Sequence, residues 1–305
     1  MKKFLGLLAI AIFLLPLFWA TGSDSVSCRL EVITQEKKPL LMGVIPYLQP
    51  EQLRKHILPI TEYLSLKLNR KVQFVSVSNY EGLGRLLELN RIQIAWFSDT
   101  SYRKLKKEND WEVLCRPVQN GRVVYRGQIV ARKDGDINEL KDLQGKVFAY
   151  VDRYSGSGFY YPNMLFDRIG IKPLEFFARV VFSSSHRNSI LGVISGDYHA
   201  AAVFSSSLFD GEANGKDRLN ELKIVSLTDP IPNDPMVVRA DLDAGLKRQI
   251  AQAMLDMHRL EEARRFLDQL KIQRGTERFI SEEEVQRIMK LEKVQNIEQI
   301  EPIQK

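Results

Sequence analysis

Two short stretches of this chain carry the residue types that hold an anion. The first, Tyr150-Val151-Asp152-Arg153-Tyr154-Ser155-Gly156-Ser157-Gly158-Phe159, ends an apolar run, breaks at Ser-Gly-Ser-Gly and enters a helix-like segment reaching Ile169. The second repeats the design: Val180-Val181-Phe182 ends a strand, Ser183-Ser184-Ser185-His186-Arg187-Asn188-Ser189 follows, and Ile190 to Ile194 reads as a helix stopped by Gly196. A strand, a small-residue turn and a helix start aim several unpaired backbone N–H groups at one place, where the helix dipole also favours negative charge. Serine hydroxyls and the His186 ring add side-chain donors. Each stretch alone also fits a bare turn with capping serines. Together they form a cage for a tetrahedral oxyanion, with Ser155, Gly156, Ser157 and His186 as candidate ligand contacts. Arg153 and Arg187 flank the two loops and read as a favourable field rather than as direct contacts.

Other chemistries fit less well. The histidines, His56, His186, His199 and His258, have no H-x-x-x-H spacing and there are only two cysteines, so neither a metal site nor a metal cofactor is expected. Serine, histidine and aspartate are all present, but Ser155-Gly156-Ser157-Gly158 is not the G-x-S-x-G elbow of a hydrolase. With no Walker A sequence either, the expectation is a binding protein without catalytic residues or cofactor. The formal net charge of +6 is mild and spread along the chain, with no basic–aromatic stripe, which argues against a nucleic-acid partner.

The elements that must position these loops alternate between strand and helix. Leu40 to Ile45 reads as a buried strand; Glu51 opens a helix with Leu53, Ile57, Ile60 and Leu64 on one face; Val72 to Val77 is a strand; Tyr80 to Leu89 is a helix; Ile92 to Phe97 is a strand ending at Ser98-Asp99. Such alternation predicts mostly parallel sheets flanked by helices, with ligands at the strand C-termini. Trp111 to Val118 and Val123 to Arg132 read as two strands joined by a tight Asn120-Gly121 turn. A second alternating block follows from 146 to 227, and the proline-rich Thr228 to Pro235 returns the chain to the first sheet at Met236. Leu242 to Leu270 reads as one long helix, and Ser281-Glu282-Glu283-Glu284 as the capping box of a last one.

At 305 residues and 44% hydrophobic content, the chain is long enough for two domains. The expected organisation is a signal peptide at 1–22, or an uncleaved anchor, an extension at 23–39, a first lobe at 40–132, a second lobe at 133–230, the remainder of the first lobe with the C-terminal helices at 231–294, and a polar tail at 295–305. Met1-Lys2-Lys3 followed by the apolar Phe4 to Ala20 carries the signal reading, and with it a periplasmic or extracytoplasmic location. In an oxidising compartment Cys28 and Cys115 can pair; Cys28 can instead be lipidated, or both can remain thiols.

The order of blocks resembles the phosphate- and phosphonate-binding solute receptors of ABC importers. The resemblance runs from about Leu40 to Met257 and is carried by Gly43 to Tyr47, Ile94 to Phe97 with Ser101-Tyr102, Asp152 to Phe159 with Pro162, Ser183 to His186, Gly196 to Tyr198, and Ile231 to Pro235. It implies a two-lobed α/β fold of the type II periplasmic-binding-protein class, with the ligand in the interlobe cleft and lobe closure about Gly127-Gln128 and Ile231-Pro232. It also implies that Ser155, Gly156 and Ser157 form the oxyanion turn, that His186 caps the second helix, that Tyr47 and Phe97 are aromatic walls, and that Asp234 is the acid of the returning crossover. The implied partners are a small phosphate- or phosphonate-like anion and a membrane permease, with a membrane sensor kinase or cyclase as the alternative reader of a monomeric protein. Members that take an aminoalkyl phosphonate carry an acid where this chain reads Ser205-Ser206-Ser207.

Overall fold

The computed structural model describes residues 37–48, 50–106, 109–204 and 220–298. The signal segment, Cys28 and Ser205 to Ser207 lie outside the described residues.

Two sheets organise the chain. The first has the order β11-β4-β10-β3-β1-β2, built from β1 (Leu40–Val44), β2 (Val72–Val75), β3 (Ile94–Trp96), β4 (Trp111–Gln119), β10 (Met236–Arg239) and β11 (Thr276–Ile280). The second runs β7-β6-β8-β5-β9, from β5 (Val124–Arg132), β6 (Val147–Tyr150), β7 (Arg179–Phe182), β8 (Ala200–Phe204) and β9 (Leu222–Pro232). Pairing is parallel among β1, β2 and β3 and among β6, β7 and β8. It is antiparallel where β10, β4 and β11 join the first sheet and where β5 and β9 join the second. The sheets are therefore mixed: β10 and β5 each enter from the cleft side and run away from it.

Helices cover both sheets: α1 (Pro50–Leu68), α2 (Tyr80–Glu88) and α3 (Asp99–Lys106) follow the first three strands. In the second block α4 (Tyr161–Arg168), α5 (Pro173–Phe176) and α6 (His186–Ser195) do the same. The second sheet is apolar on both faces, as helices on either side require. Ile129, Phe148 and Ala202 pack with Phe166 and Phe177 on one face, while Val130, Ala149 and Ala201 pack with Ile190 and Val193 on the other.

The change of sheet comes earlier than the expected boundary after Arg132. Asn120 and Gly121 both adopt positive φ (49° and 72°) and Gln119 bridges Arg122, so the tight turn forms as the Asn-Gly pair predicts. The two strands then part into different sheets instead of running on as a hairpin. Strand β5 is buried between β8 and β9 and belongs with them. The return comes later than the expected boundary after 230: β9 runs on to Pro232, which pairs with Val124, and the chain rejoins the first sheet at Met236, beside Trp96 and Cys115.

The long C-terminal helix is broken. It comprises α7 (Ala244–Asp256), two 3-10 turns around an extended Leu260, and α8 (Arg264–Arg274). A straight helix over that stretch would reach about 44 Å and leave the domain. The break instead lets Met254, Met257, Ala263, Phe266 and Leu270 all reach the first core. Strand β11, unforeseen in the sequence, then pairs with β4 before Ser281 caps α9 (Glu282–Glu298) by accepting the Glu284 N–H at 3.2 Å.

Candidate functional site

The C-terminal ends of the parallel strands of both sheets face one cavity. It is lined by Ile45, Tyr47, His56, Tyr80, Ser98, Gln119, Tyr125, Ser155, Gly156, Ser157, His186, Phe204 and Asp234. The room left for the centres of water-sized atoms is about 50 Å³. One water needs roughly 10–15 Å³ by that measure, so the cavity suits a small molecule of a few heavy atoms.

From the second sheet, β6 ends in a loop that leads into a π-helical turn, Gly156–Tyr160, before α4 begins. Ser155 caps this turn, its Oγ accepting the Gly158 N–H at 3.0 Å. A Cβ at Gly156 would stand 2.8 Å from Thr100 Oγ1 on α3, so only glycine lets this backbone approach the opposite lobe so closely. Ser157 is buried beside the Tyr125 phenol.

Beside it, Ser185 caps α6 by accepting the Asn188 N–H at 3.1 Å, and His186 is the first helical residue rather than the cap itself. The ring is 3% exposed and stands edge-on to Phe204. Its Nδ1 accepts the Phe204 N–H at 3.3 Å, which puts the ring hydrogen on Nε2. Burial pulls the imidazole down to about 3, so the ring is neutral and acts as an Nε2–H donor.

From the first sheet come Tyr47 after β1, Tyr80 at the start of α2 and Ser98 after β3. Ser98 Oγ receives the Ser101 N–H at 3.1 Å and so caps α3, a third hydroxyl-capped helix start at the cavity. Tyr80 is fully buried, its phenol facing Ser155 across the cleft. Burial pushes the Tyr80 and Tyr125 phenols well above their ordinary range, and the Asp234 charge pushes each further, so both stay protonated donors. Asp234, on the return crossing, is the carboxylate of the lining; Trp96 Nε1 holds its carbonyl at 2.8 Å.

Six of the seven residues expected from the sequence thus converge on one cavity: Tyr47, Ser155, Gly156, Ser157, His186 and Asp234. Phe97 does not. It is fully buried and stacked on Trp111 at 5.2 Å, because the backbone turns after β3, where the Phe97 N–H donates to Pro235 O, and directs this ring into the core. Its neighbour Ser98 faces the cleft instead. Arg153 lies over the Phe182 ring, and neither Arg153 nor Arg187 lines the cavity.

His56, Tyr80, Ser98, Gln119, Tyr125 and Phe204 were not foreseen. Ser98 carried the same strand–hydroxyl–helix signal as the two serine loops; the others had no local signature. Among the described residues the lining has six hydroxyls, the two imidazoles of His56 and His186, and one carboxylate, with no lysine or arginine. Its hydroxyls, the neutral His186 and the helix starts offer oriented dipoles to a negative charge.

A family model described as the periplasmic substrate-binding protein of phosphonate ABC transporters matches residues 42–281. The phosphonates-binding periplasmic protein of Escherichia coli (strain K12) is 25% identical over 242 residues, which is 77% of this chain and 71% of that protein. Among solved structures, a binding-protein component of an ABC phosphonate transporter from Pseudomonas aeruginosa superimposes with a TM-score of 0.73 at 21% identity, covering 83% of this chain and 85% of that one. PhnD1 from Prochlorococcus marinus (MIT 9301), in complex with methylphosphonate, gives 0.72 at 20% identity, covering 85% and 98%. The structural likeness establishes a shared two-lobed fold.

Proposed function

The chain belongs to the periplasmic substrate-binding proteins of ABC phosphonate transporters, and from that premise we propose that it captures a small phosphorus oxyanion, such as phosphate, phosphite or a short phosphonate, between its lobes. The observation that carries the reading is the composition of the lining: six hydroxyls and a neutral His186 donor surround a single carboxylate. The anionic oxygens of the ligand accept from Ser155, Ser157, the tyrosines and the helix-start N–H groups. A hydroxyl left on phosphorus donates to Asp234. Capture exchanges the water shell of the anion for fixed dipoles and needs no bond making, so the role is binding rather than catalysis.

The bound protein, acting as a monomer, presents its closed lobes to the permease of the importer. The family description and the Pseudomonas aeruginosa protein are named as ABC transporter components, which supports a permease rather than a sensor kinase or cyclase as the reader of closure. An N-terminal signal that places the protein outside the cytoplasm accords with this role.

A thermal-shift series with phosphate, phosphite and methylphosphonate tests the reading. Ligand at about 100 times its dissociation constant stabilises the fold by roughly 2.7 kcal/mol. No shift with any of the three, alongside a clear shift with an uncharged solute, refutes it.

A further inference from the structure

Arg116, on β4, is 1% exposed and does not line the cavity. Its guanidinium nevertheless touches three elements that meet near the site. Nε donates to Glu282 Oε2 at 2.5 Å, at the first residue of α9. Nη1 donates to the Asn233 carbonyl at 2.6 Å, on the return crossing. Nη1 also stands 2.8 Å from Asp99 Oδ1 at the start of α3, an ion pair off the hydrogen-bonding direction.

The Asn233 carbonyl shares a rigid peptide plane with the N–H of Asp234. A guanidinium bonded to that oxygen therefore fixes the direction from which the Asp234 side chain departs. The other side of the residue is held by Trp96, whose Nε1 donates to the Asp234 carbonyl at 2.8 Å. The Asn233 side chain ties the same point to both crossings, its Nδ2 donating to Pro117 O at 3.0 Å and to Arg122 O at 2.9 Å.

A buried ion pair is poor value for stability alone, because desolvation offsets most of the attraction. A rigid fork that must satisfy three partners does specify geometry. We propose that Arg116 and, acting through it, Glu282 are positioning residues for the ligand site: they hold the peptide plane that presents Asp234. The inference rests on the oxyanion reading given above. It adds that a residue on the C-terminal helix, outside the cavity, sets the affinity. Without the Glu282 charge, the guanidinium swings toward Asp99 and loosens its bond to Asn233.

A double-mutant cycle tests this, with calorimetry of inorganic phosphate and methylphosphonate on the full chain. Glu282→Gln should weaken binding about five- to tenfold in the native background and by less than about twofold when Asp234→Asn is already present. Glu282→Asp, which keeps the charge, should recover affinity to within about twofold of native. The melting temperature of the ligand-free protein should fall equally, or not at all, in both backgrounds. Equal losses of affinity in the two backgrounds, or an unchanged affinity for Glu282→Gln, overturn the positioning role. A native protein that binds neither ligand overturns the oxyanion reading, and this inference with it.

Discussion

Replacing His186 by asparagine should change how the stability of the ligand-free protein depends on pH. In the unfolded chain the imidazole takes up a proton near its ordinary value of about 6.5. In the folded protein burial holds it down to about 3, and Nδ1 is already committed to the Phe204 N–H. Between those values the unfolded state binds one proton more than the folded state, so stability is full above the unfolded value and falls as the medium becomes more acid. The slope is about 1.4 kcal/mol per pH unit. Between about pH 7 and about pH 5 the loss is about 2 kcal/mol, a large share of a total stability of about 5–15 kcal/mol. His186→Asn removes the titrating group while leaving an acceptor near the Phe204 N–H. Denaturant melts at the two pH values, taken for both proteins, isolate this contribution because every other group cancels in the difference. The native protein should lose about 2 kcal/mol more than the variant on acidification. Parallel losses would mean that His186 is already charged in the fold, and the account of a neutral Nε2–H donor would fail.

The two serines of the first loop should separate cleanly. Ser157→Ala removes a cavity hydroxyl and should weaken oxyanion binding by about 1.5–3 kcal/mol, about ten- to a hundredfold, with little change in ligand-free stability. Ser155→Ala also removes a helix cap, the Gly158 N–H acceptor, and should cost about 1 kcal/mol of ligand-free stability in denaturant melts. If Ser157→Ala destabilises the free protein and binds normally, that serine serves the fold alone. Calorimetry should show that 2-aminoethylphosphonate binds no better than methylphosphonate. A buried ammonium needs a carboxylate of its own; Asp234 is engaged by the hydroxyl left on phosphorus, and Asp229, the other acid in Thr228 to Pro235, is half-buried and paired with Arg168 outside the cavity. A tenfold preference for the amine would refute this.

What could be read from the sequence was what is local. A strand end followed by hydroxyls and a helix start is a pattern within ten residues, and Ser155, Ser157 and His186 all lie in such patterns. Tyr80 and Tyr125 reach the same cavity from a helix and from a strand of different sheets. In one dimension Tyr80 stands between Asn79 and Glu81 and Tyr125 between Val124 and Arg126, and neither setting points at a shared cavity. Trp96 and Phe97 show the limit of strand alternation: both are buried, and only the pairing with β10 and the contact with Pro235 decide which way each ring points. The break between α7 and α8 contains no proline or glycine, and the apolar spacing continues across it, so nothing local announces Leu260. The position of β5 followed from its partners β8 and β9, which come many residues later.

The route of the chain also has a consequence for the order of assembly. The second sheet is made entirely from Val124–Pro232, one uninterrupted piece. The first is closed only by late arrivals: Thr276 on β11 meets Gln119 on β4 across a separation of 157 positions, and Arg116 meets Glu282 across 166. Pairing such distant segments carries the larger loop-closure cost unless the intervening chain is already compact. Collapse of the second lobe draws the ends of its segment, at Val124 and Pro232, into adjacent register and so shortens the effective loop that β10 must close. The first lobe is thus completed on a template that the second supplies.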